Sequence, residues 1–262
     1  MSVLLVDDRD GIRVLTLHRP ERRNALSPEL VAALDAALRA ADADASIRCI
    51  VVTGAPSPDG RPTFCAGGDL QGGLTGDGFF AQHQARGGFA ELLLTFRRLT
   101  TPTIAAVSGL ALGGGFGIVL ACDLAVAADD ARLGTPEVKR GLFPMMIAAL
   151  IDEVLPKKQA MELMLTGGEV SGHRAVDLGI VNRVVAADVV VAEAMKLAAT
   201  IAAQSSAVLA LGKRAVHLQR DMPFEQKLMF LRDQLTLNLH LEDAAEGLAA
   251  FVEKREPAWK GR

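Results

Sequence analysis

The sequence predicts an α/β domain with parallel crossovers, and three observations carry that prediction. Short apolar, β-branched runs at 49–53 and 103–107 are each followed by glycine-rich turns. Segments with helical apolar spacing separate these runs. The order strand, turn, helix then recurs, which is the grammar of parallel strands joined by crossovers.

Taken in order, residues 14–17 read as a short strand that His18-Arg19-Pro20 breaks. Ser27-Pro28-Glu29 starts a helix, with a capping hydroxyl, proline at the first helical position and an acid in the first turn. Leu30, Ala33, Leu34, Ala37 and Leu38 follow on one face, so this helix is amphipathic. Residues 49–53 form a buried strand ended by Gly54 and a proline-rich loop. Residues 63–69 hold a first glycine turn, 72–78 a loose glycine-rich loop, and 79–99 a helix. A second buried strand at 103–107 leads into a second glycine turn, a short helix at 114–122 and a strand at 124–127. Ser171 caps a helix that Gly179 ends, and 180–185 is a further strand. Beyond Asp188 the pattern is helical to the end, broken at Asp221-Met222-Pro223. A boundary near Val190 divides a core, 1–190, from a helical region, 191–262, that covers the core or a neighbouring subunit.

Composition narrows the class. The 262 residues are half apolar and 23% charged, as in soluble globular proteins, and suffice for a sizeable core. A net charge of −3 gives no footprint for nucleic acid or an anionic membrane. Cys49, Cys65 and Cys122 form no C-x-x-C pair, which points away from a zinc site or disulfide framework and toward a reducing cytoplasm. The first ten residues are too short and too acidic for a signal peptide. The uncharged stretch 104–122 approaches the length of a membrane span, but five glycines fit a strand, turn and short buried helix better.

Two segments hold the candidate chemistry. In Phe64-Cys65-Ala66-Gly67-Gly68-Asp69, paired glycines let backbone amides approach a ligand, although an ordinary strand-ending turn would look the same. In Ala111-Leu112-Gly113-Gly114-Gly115-Phe116-Gly117, three glycines open an apolar helix whose first amides lack partners within the helix. Such an end suits an anion. It is neither a P-loop nor a dinucleotide fingerprint.

With these motifs assembled, the chain resembles the crotonase superfamily, the enoyl-CoA hydratase/isomerase group. The matching segments are Arg19-Pro20-Glu21-Arg22-Arg23-Asn24-Ala25-Leu26-Ser27, the two glycine turns, Gly134-Thr135-Pro136-Glu137, the stretch 171–185, and Phe251-Val252-Glu253-Lys254-Arg255 with Lys260. The resemblance covers essentially the whole chain. It implies a spiral of β-β-α repeats with a helical C-terminal region that packs trimers, and trimers that pair into hexamers. It implies an acyl-coenzyme A substrate, with coenzyme A as part of the thioester and no permanently bound cofactor or metal. The amides of Gly68 and Gly114 become the oxyanion hole, which stabilises the enolate formed on the thioester.

On its own residues Glu137 reads as a surface acid after Pro136; the resemblance makes it the proton carrier. By the same match Arg23, Ala25 and Leu26 lie along the nucleotide part of coenzyme A, and Ala66, Asp69 and Leu70 border its pantetheine and adenine. Lys260 reaches the phosphates of a neighbouring subunit's ligand, in one of two basic groups that otherwise read as solvated surface. Hydratases of the family carry a second glutamate where this chain has Gly117. Dienoyl isomerases use an acid where it has Met145. His83, Asp77 and Glu91 are weighed as replacements, and a solvated helix face is the preferred reading for each. Ser108 has no G-x-S-x-G context and no histidine partner, so a peptidase is set aside. The expected activity is 2-enoyl-CoA hydration or 3-enoyl to 2-enoyl isomerisation with one glutamate. The alternatives are a non-catalytic acyl-CoA binding protein and a CoA-thioester decarboxylase or hydrolase.

Overall fold

The computed structural model describes residues 2–69 and 78–262. Leu70, Asp77 and nearly all of the 72–78 glycine-rich segment lie outside the described residues. The chain opens with a hairpin of strands β1 (Leu4–Arg9) and β2 (Ile12–Leu17), which pair antiparallel. Asp10 and Gly11 turn it with φ of 51° and 76°, the positive angles that a two-residue hairpin turn demands. The sequence reading placed a strand only at 14–17, although the Asp-Gly pair between two apolar runs is the signal for this hairpin.

Helix α1 (Pro28–Asp42) starts as its cap predicts: the Ser27 hydroxyl accepts from the Leu30 amide at 3.2 Å. Leu30, Leu34 and Leu38 are fully buried, and Ala33 and Ala37 pack beside them. Strands β3 (Cys49–Gly54) and β4 (Thr63–Cys65) lead to α2 (Phe79–Arg98). Strands β5 (Thr103–Val107) and β6 (Leu110–Leu112) lead to α3 (Gly114–Ala121). Strands β7 (Leu124–Ala128) and β8 (Arg132–Gly134) lead through a 3₁₀ turn at Pro136–Arg140 to α4 (Met145–Val154) and α5 (Lys157–Thr166). Each pair of strands divides between two sheets, so the chain advances as β-β-α turns of a spiral. The larger sheet has the order β1-β2-β3-β5-β7 with a sixth strand, β10 (Arg183–Val185), and is parallel from β2 onward. The smaller has the order β4-β6-β8-β9, where β9 is Glu169–Ser171.

Ser171 caps α6 (Gly172–Asp177) as expected, but the strand that follows is only Arg183–Val185; Ile180 and Val181 are buried outside it. Helix α7 (Val190–Ala202) lays Val190, Ala194 and Ala198 on the larger sheet. Helices α8 (Ser206–Leu218), α9 (Phe224–Leu239) and α10 (Glu242–Glu253) complete the fold. Lys213 of α8 is anchored on Asp123 at 2.6 Å, and that carboxylate also accepts from the Thr103 amide and hydroxyl, each at 2.8 Å. The expectation of helix to the end is corrected by the tail beyond Glu253, which is not helical. Side chains of α10 hold it instead. Buried Asp243 accepts from the Lys260 and Gly261 amides, and Arg255 forks onto Glu246, holding that carboxyl down to about 2. Among the described residues no single helix is long and apolar enough to cross a membrane.

Asn24 connects this fold to the site. It is fully buried at φ 56°, and its amide donates to the carbonyls of Ala55, Thr63 and Phe64. Asn24→Ala leaves those carbonyls short of a donor and forces a β-carbon residue without a local hydrogen bond into a left-handed angle. We expect about 2–3 kcal/mol of lost stability, read as a fall in the urea midpoint at unchanged slope.

Candidate functional site

The two glycine turns meet because β4 and β6 are parallel neighbours, with Thr63 opposite Leu110 and Cys65 opposite Ala111. Gly67 has φ 103° and Gly113 φ 52°, angles that side chains avoid. Space is also close, most of all at Gly67. A β-carbon on Gly67 would lie 3.0 Å from the Leu112 carbonyl oxygen, and one on Gly113 would lie 3.7 Å from Gly67 Cα. Behind the first turn, burial pushes the Cys65 thiol up to about 12, so it serves packing rather than nucleophilic chemistry.

The hydrogen bonds of the turns leave two amides over. The Leu26 amide donates to the Gly67 carbonyl at 2.8 Å, and Asp69 donates to the Leu26 carbonyl at 3.0 Å. Ala66 donates to Arg23 and Gly113 to Gly134. Between these bonds the amides of Gly68 and Gly114 find no acceptor among the described residues. Gly68 stands in open space, and Gly114 is the first residue of α3, where the helix leaves its amides unpaired. Arg19 braces the first turn. It meets Asp69 at 2.9 Å and the Ala25 carbonyl at 2.6 Å, with both partners of the ion pair largely buried. Sequence reasoning took Arg19 for solvated surface; nothing in its neighbours marks the pairing with a residue fifty positions on.

Glu137 comes from the smaller sheet's next strand. β8 pairs with β6 and delivers the 3₁₀ turn beside Gly113, so that Glu137 Oε1 would lie 2.8 Å from a β-carbon placed there. Pro136 and Thr135 are buried, and the Thr135 hydroxyl donates to the Leu163 carbonyl at 3.0 Å, fixing the turn. Glu137 Oε2 is buried without a hydrogen-bond partner among the described residues. Burial raises the carboxyl above its ordinary value, against smaller opposing effects from its own backbone amide and the Arg140 guanidinium.

Gly68, Gly114 and Glu137 line one cavity of about 400 Å³. Leu26, Ala66 and Asp69 also line it, and Ala25 is half-buried beside Leu26. Arg23 is exposed, with a left-handed backbone, and does not line the cavity; Lys260 pairs with Glu242 at 3.3 Å in the C-terminal tail, also away from it. The far wall is apolar, built by Phe89, Phe143, Met145, Met146 and Ile147. Met145 thus reaches the cavity without an acid. His83 is exposed outside it, and Glu91 is engaged with Arg98 at 2.7 Å and Arg39 at 3.4 Å. Neither replaces the missing carboxylate, and Asp77 lies outside the described residues. Ser108 does not line the cavity. Sequence reasoning missed Phe89 and Arg140, whose neighbours carry no motif.

Over residues 7–262 the chain matches the family described as enoyl-CoA hydratase/isomerase. A probable enoyl-CoA hydratase of Mycobacterium leprae is 34% identical over 265 residues, covering 100% of this chain and 99% of the relative. One from Rhizobium meliloti is 37% identical over 265 residues with the same coverage. The crystal structure of an enoyl-CoA hydratase from Mycobacterium smegmatis superposes with a TM-score of 0.93 at 33% identity, covering 99% of both chains.

A raised carboxyl in the folded state has a sign for stability. The folded protein holds the Glu137 proton more tightly than the unfolded chain does. The resulting gain is complete below the ordinary glutamate range and is lost as pH rises through the raised value. At neutral pH an ionised, unpartnered Glu137 therefore costs stability. Glu137→Gln is therefore expected to melt above the parent at pH 7.5, read by calorimetry at matched ionic strength. The gap should close below about pH 4.

Proposed function

We propose that this chain, which belongs to the enoyl-CoA hydratase/isomerase family, generates a thioester enolate between the amides of Gly68 and Gly114 and moves protons with Glu137 alone. It is an enzyme of the enoyl-CoA hydratase/isomerase type. What supports the finer reading is that two amides without acceptors and a carboxyl with one buried, unpartnered oxygen line a single cavity. The thioester oxygen takes both N–H groups. Negative charge that develops there is met by fixed donors, and losing one such donor typically costs roughly 3 kcal/mol of barrier stabilisation. Burial raises the Glu137 carboxyl, which makes its carboxylate a better proton acceptor than an exposed glutamate and its acid form able to return the proton. Two reactions pass through such an enolate: water addition to a 2-enoyl-CoA, and migration of the double bond of a 3-enoyl-CoA. Neither asks for a resident cofactor, because the amides hold the charge and Glu137 holds the proton.

Arg23, Ala25, Leu26, Ala66, Asp69 and Leu70 run along the coenzyme A in this reading. Support comes from Leu26, Ala66 and Asp69 lining the cavity, and from exposed Arg23 lying two residues from Ala25. Lys260 would reach a neighbouring subunit's phosphates. Self-association to a trimer or hexamer is favoured by Leu235 and Leu239 on α9 and Leu248 and Phe251 on α10, all 58–84% exposed in one protomer. Residues 191–262 would then serve assembly and 1–190 the chemistry. Free Cys49, Cys65 and Cys122 suit a reducing cytoplasm.

Glu137→Gln should lower turnover of both a 2-enoyl-CoA and a 3-enoyl-CoA by about 10²–10⁴ while thioester binding persists. Full activity in that variant, or turnover of neither substrate by the parent at any chain length, would overturn the assignment. The acid limb of kcat/KM should lie above the ordinary glutamate value near 4.3. Arg140→Leu should move that limb higher, because it removes a cation that favours the ionised Glu137.

A further inference from the structure

Gly117 marks the position of the absent second acid, yet it does not line the cavity. Ile147 and Phe89 stand between them, and both do line it. A side chain begun at Gly117 would set its first carbon 2.4 Å from Ile147 Cγ2, 3.3 Å from Ile147 Cβ and 3.6 Å from Phe89 Cζ. Ile147 is only 3% exposed and lies in the first turn of α4, which packs on α3. A β-branched residue in a helix keeps essentially one rotamer, so it cannot swing aside as a long side chain would. The volume that a second carboxylate and its water would need is thus filled by hydrocarbon. The other carboxylate among the described lining residues, Asp69, is paired with Arg19.

We propose that Ile147, backed by Phe89 and admitted by Gly117, decides between the two reactions and assigns the site to β,γ-unsaturated acyl thioesters. The proposal rests on the oxyanion-hole reading above. Hydration needs a water held against C3, and an ordered water needs two to four polar partners. The side chains of Ile147 and Phe89 offer it none. Isomerisation needs no water. Glu137 takes a proton from C2 of the 3-enoyl thioester, and the electron pair passes into a dienolate whose charge rests on the thioester oxygen. The double bond re-forms between C2 and C3 as the proton returns from Glu137 to C4. One carboxyl serves both transfers, and nothing else is consumed or released.

The test compares the parent with Ile147→Val, Ile147→Ala, Gly117→Glu and the Gly117→Glu/Ile147→Ala double variant. Each is given a 2-enoyl-CoA and a 3-enoyl-CoA of equal chain length. Each is also given a saturated acyl-CoA in D₂O, where deuterium entering C2 reports enolate formation without either product. Parent and Ile147→Val should isomerise faster than they hydrate. Ile147→Ala, which removes three carbons from the wall, should lower that ratio at least about 10-fold, the low end of what one methylene in an apolar pocket supplies. Gly117→Glu alone should lower the melting temperature, and the double variant should recover it and hydrate faster than Ile147→Ala. An unchanged ratio in a folded Ile147→Ala that still exchanges C2 protons overturns this proposal and leaves the oxyanion-hole reading standing. A parent that hydrates faster than it isomerises also overturns it, as does a Gly117→Glu variant with parental stability. Loss of C2 exchange in the parent itself overturns the underlying reading and this proposal together.

Discussion

The contact between Gly67 and Gly113 is what the rest of the site depends on. Two strands of the smaller sheet, neighbours because the spiral repeats, bring two turns into contact: a β-carbon on Gly67 would press on the Leu112 carbonyl oxygen at 3.0 Å, and one on Gly113 would touch Gly67 Cα at 3.7 Å. That closeness sets Gly68 and Gly114 on the wall of one cavity. It also fixes Glu137, because the third strand in the same sheet delivers its turn against Gly113. The groups to which the proposal gives charge stabilisation and proton transfer are therefore positioned by one sheet, and loops are held to it by bonds such as those from Leu26, Asp69 and Asn24.

The site is also where the fold is least satisfied. Two amides without acceptors and a buried carboxylate oxygen without a donor meet there, whereas the buried carboxylates Asp243 and Asp123 collect partners. Buried polar groups left open cost stability unless something else binds them. The surrounding core supplies the margin: α1 and α7 pack on the larger sheet, α2 packs on α1 and α3, and fully buried side chains run from Leu15 to Ala198. A rigid scaffold can carry a few unsatisfied groups in fixed positions, which is the condition for electrostatic preorganisation.

Sequence made legible whatever depends on spacing along one element. The helix capped by Ser27, the strands around 49–53 and 103–107, and the two glycine turns all follow from residues within a few positions of one another. The hairpin at Asp10-Gly11 was equally readable and was passed over. What stayed hidden depends on distant pairs. Arg19 with Asp69 is one; the braces that replace helix in the tail after Glu253 are another. The missing acid at Gly117 was visible in the motif, whereas the occupant of its space was not, because Ile147 lies thirty residues on and meets it only when α4 folds over α3.

That same contact constrains how such a site can change over generations. With Ile147 in place, any side chain at 117 collides with a stiff neighbour, so an acid cannot arrive there first without damaging the fold. Trimming Ile147 first leaves only a small void, typically a loss of a few kcal/mol that a stable domain can tolerate. The route between a dry wall and a wet one therefore has a preferred order of steps. In reverse, the acid must leave before the bulk returns. Descendants of one ancestor with this pocket would be separated by a ridge in the fitness landscape rather than a smooth slope, whichever side they began on.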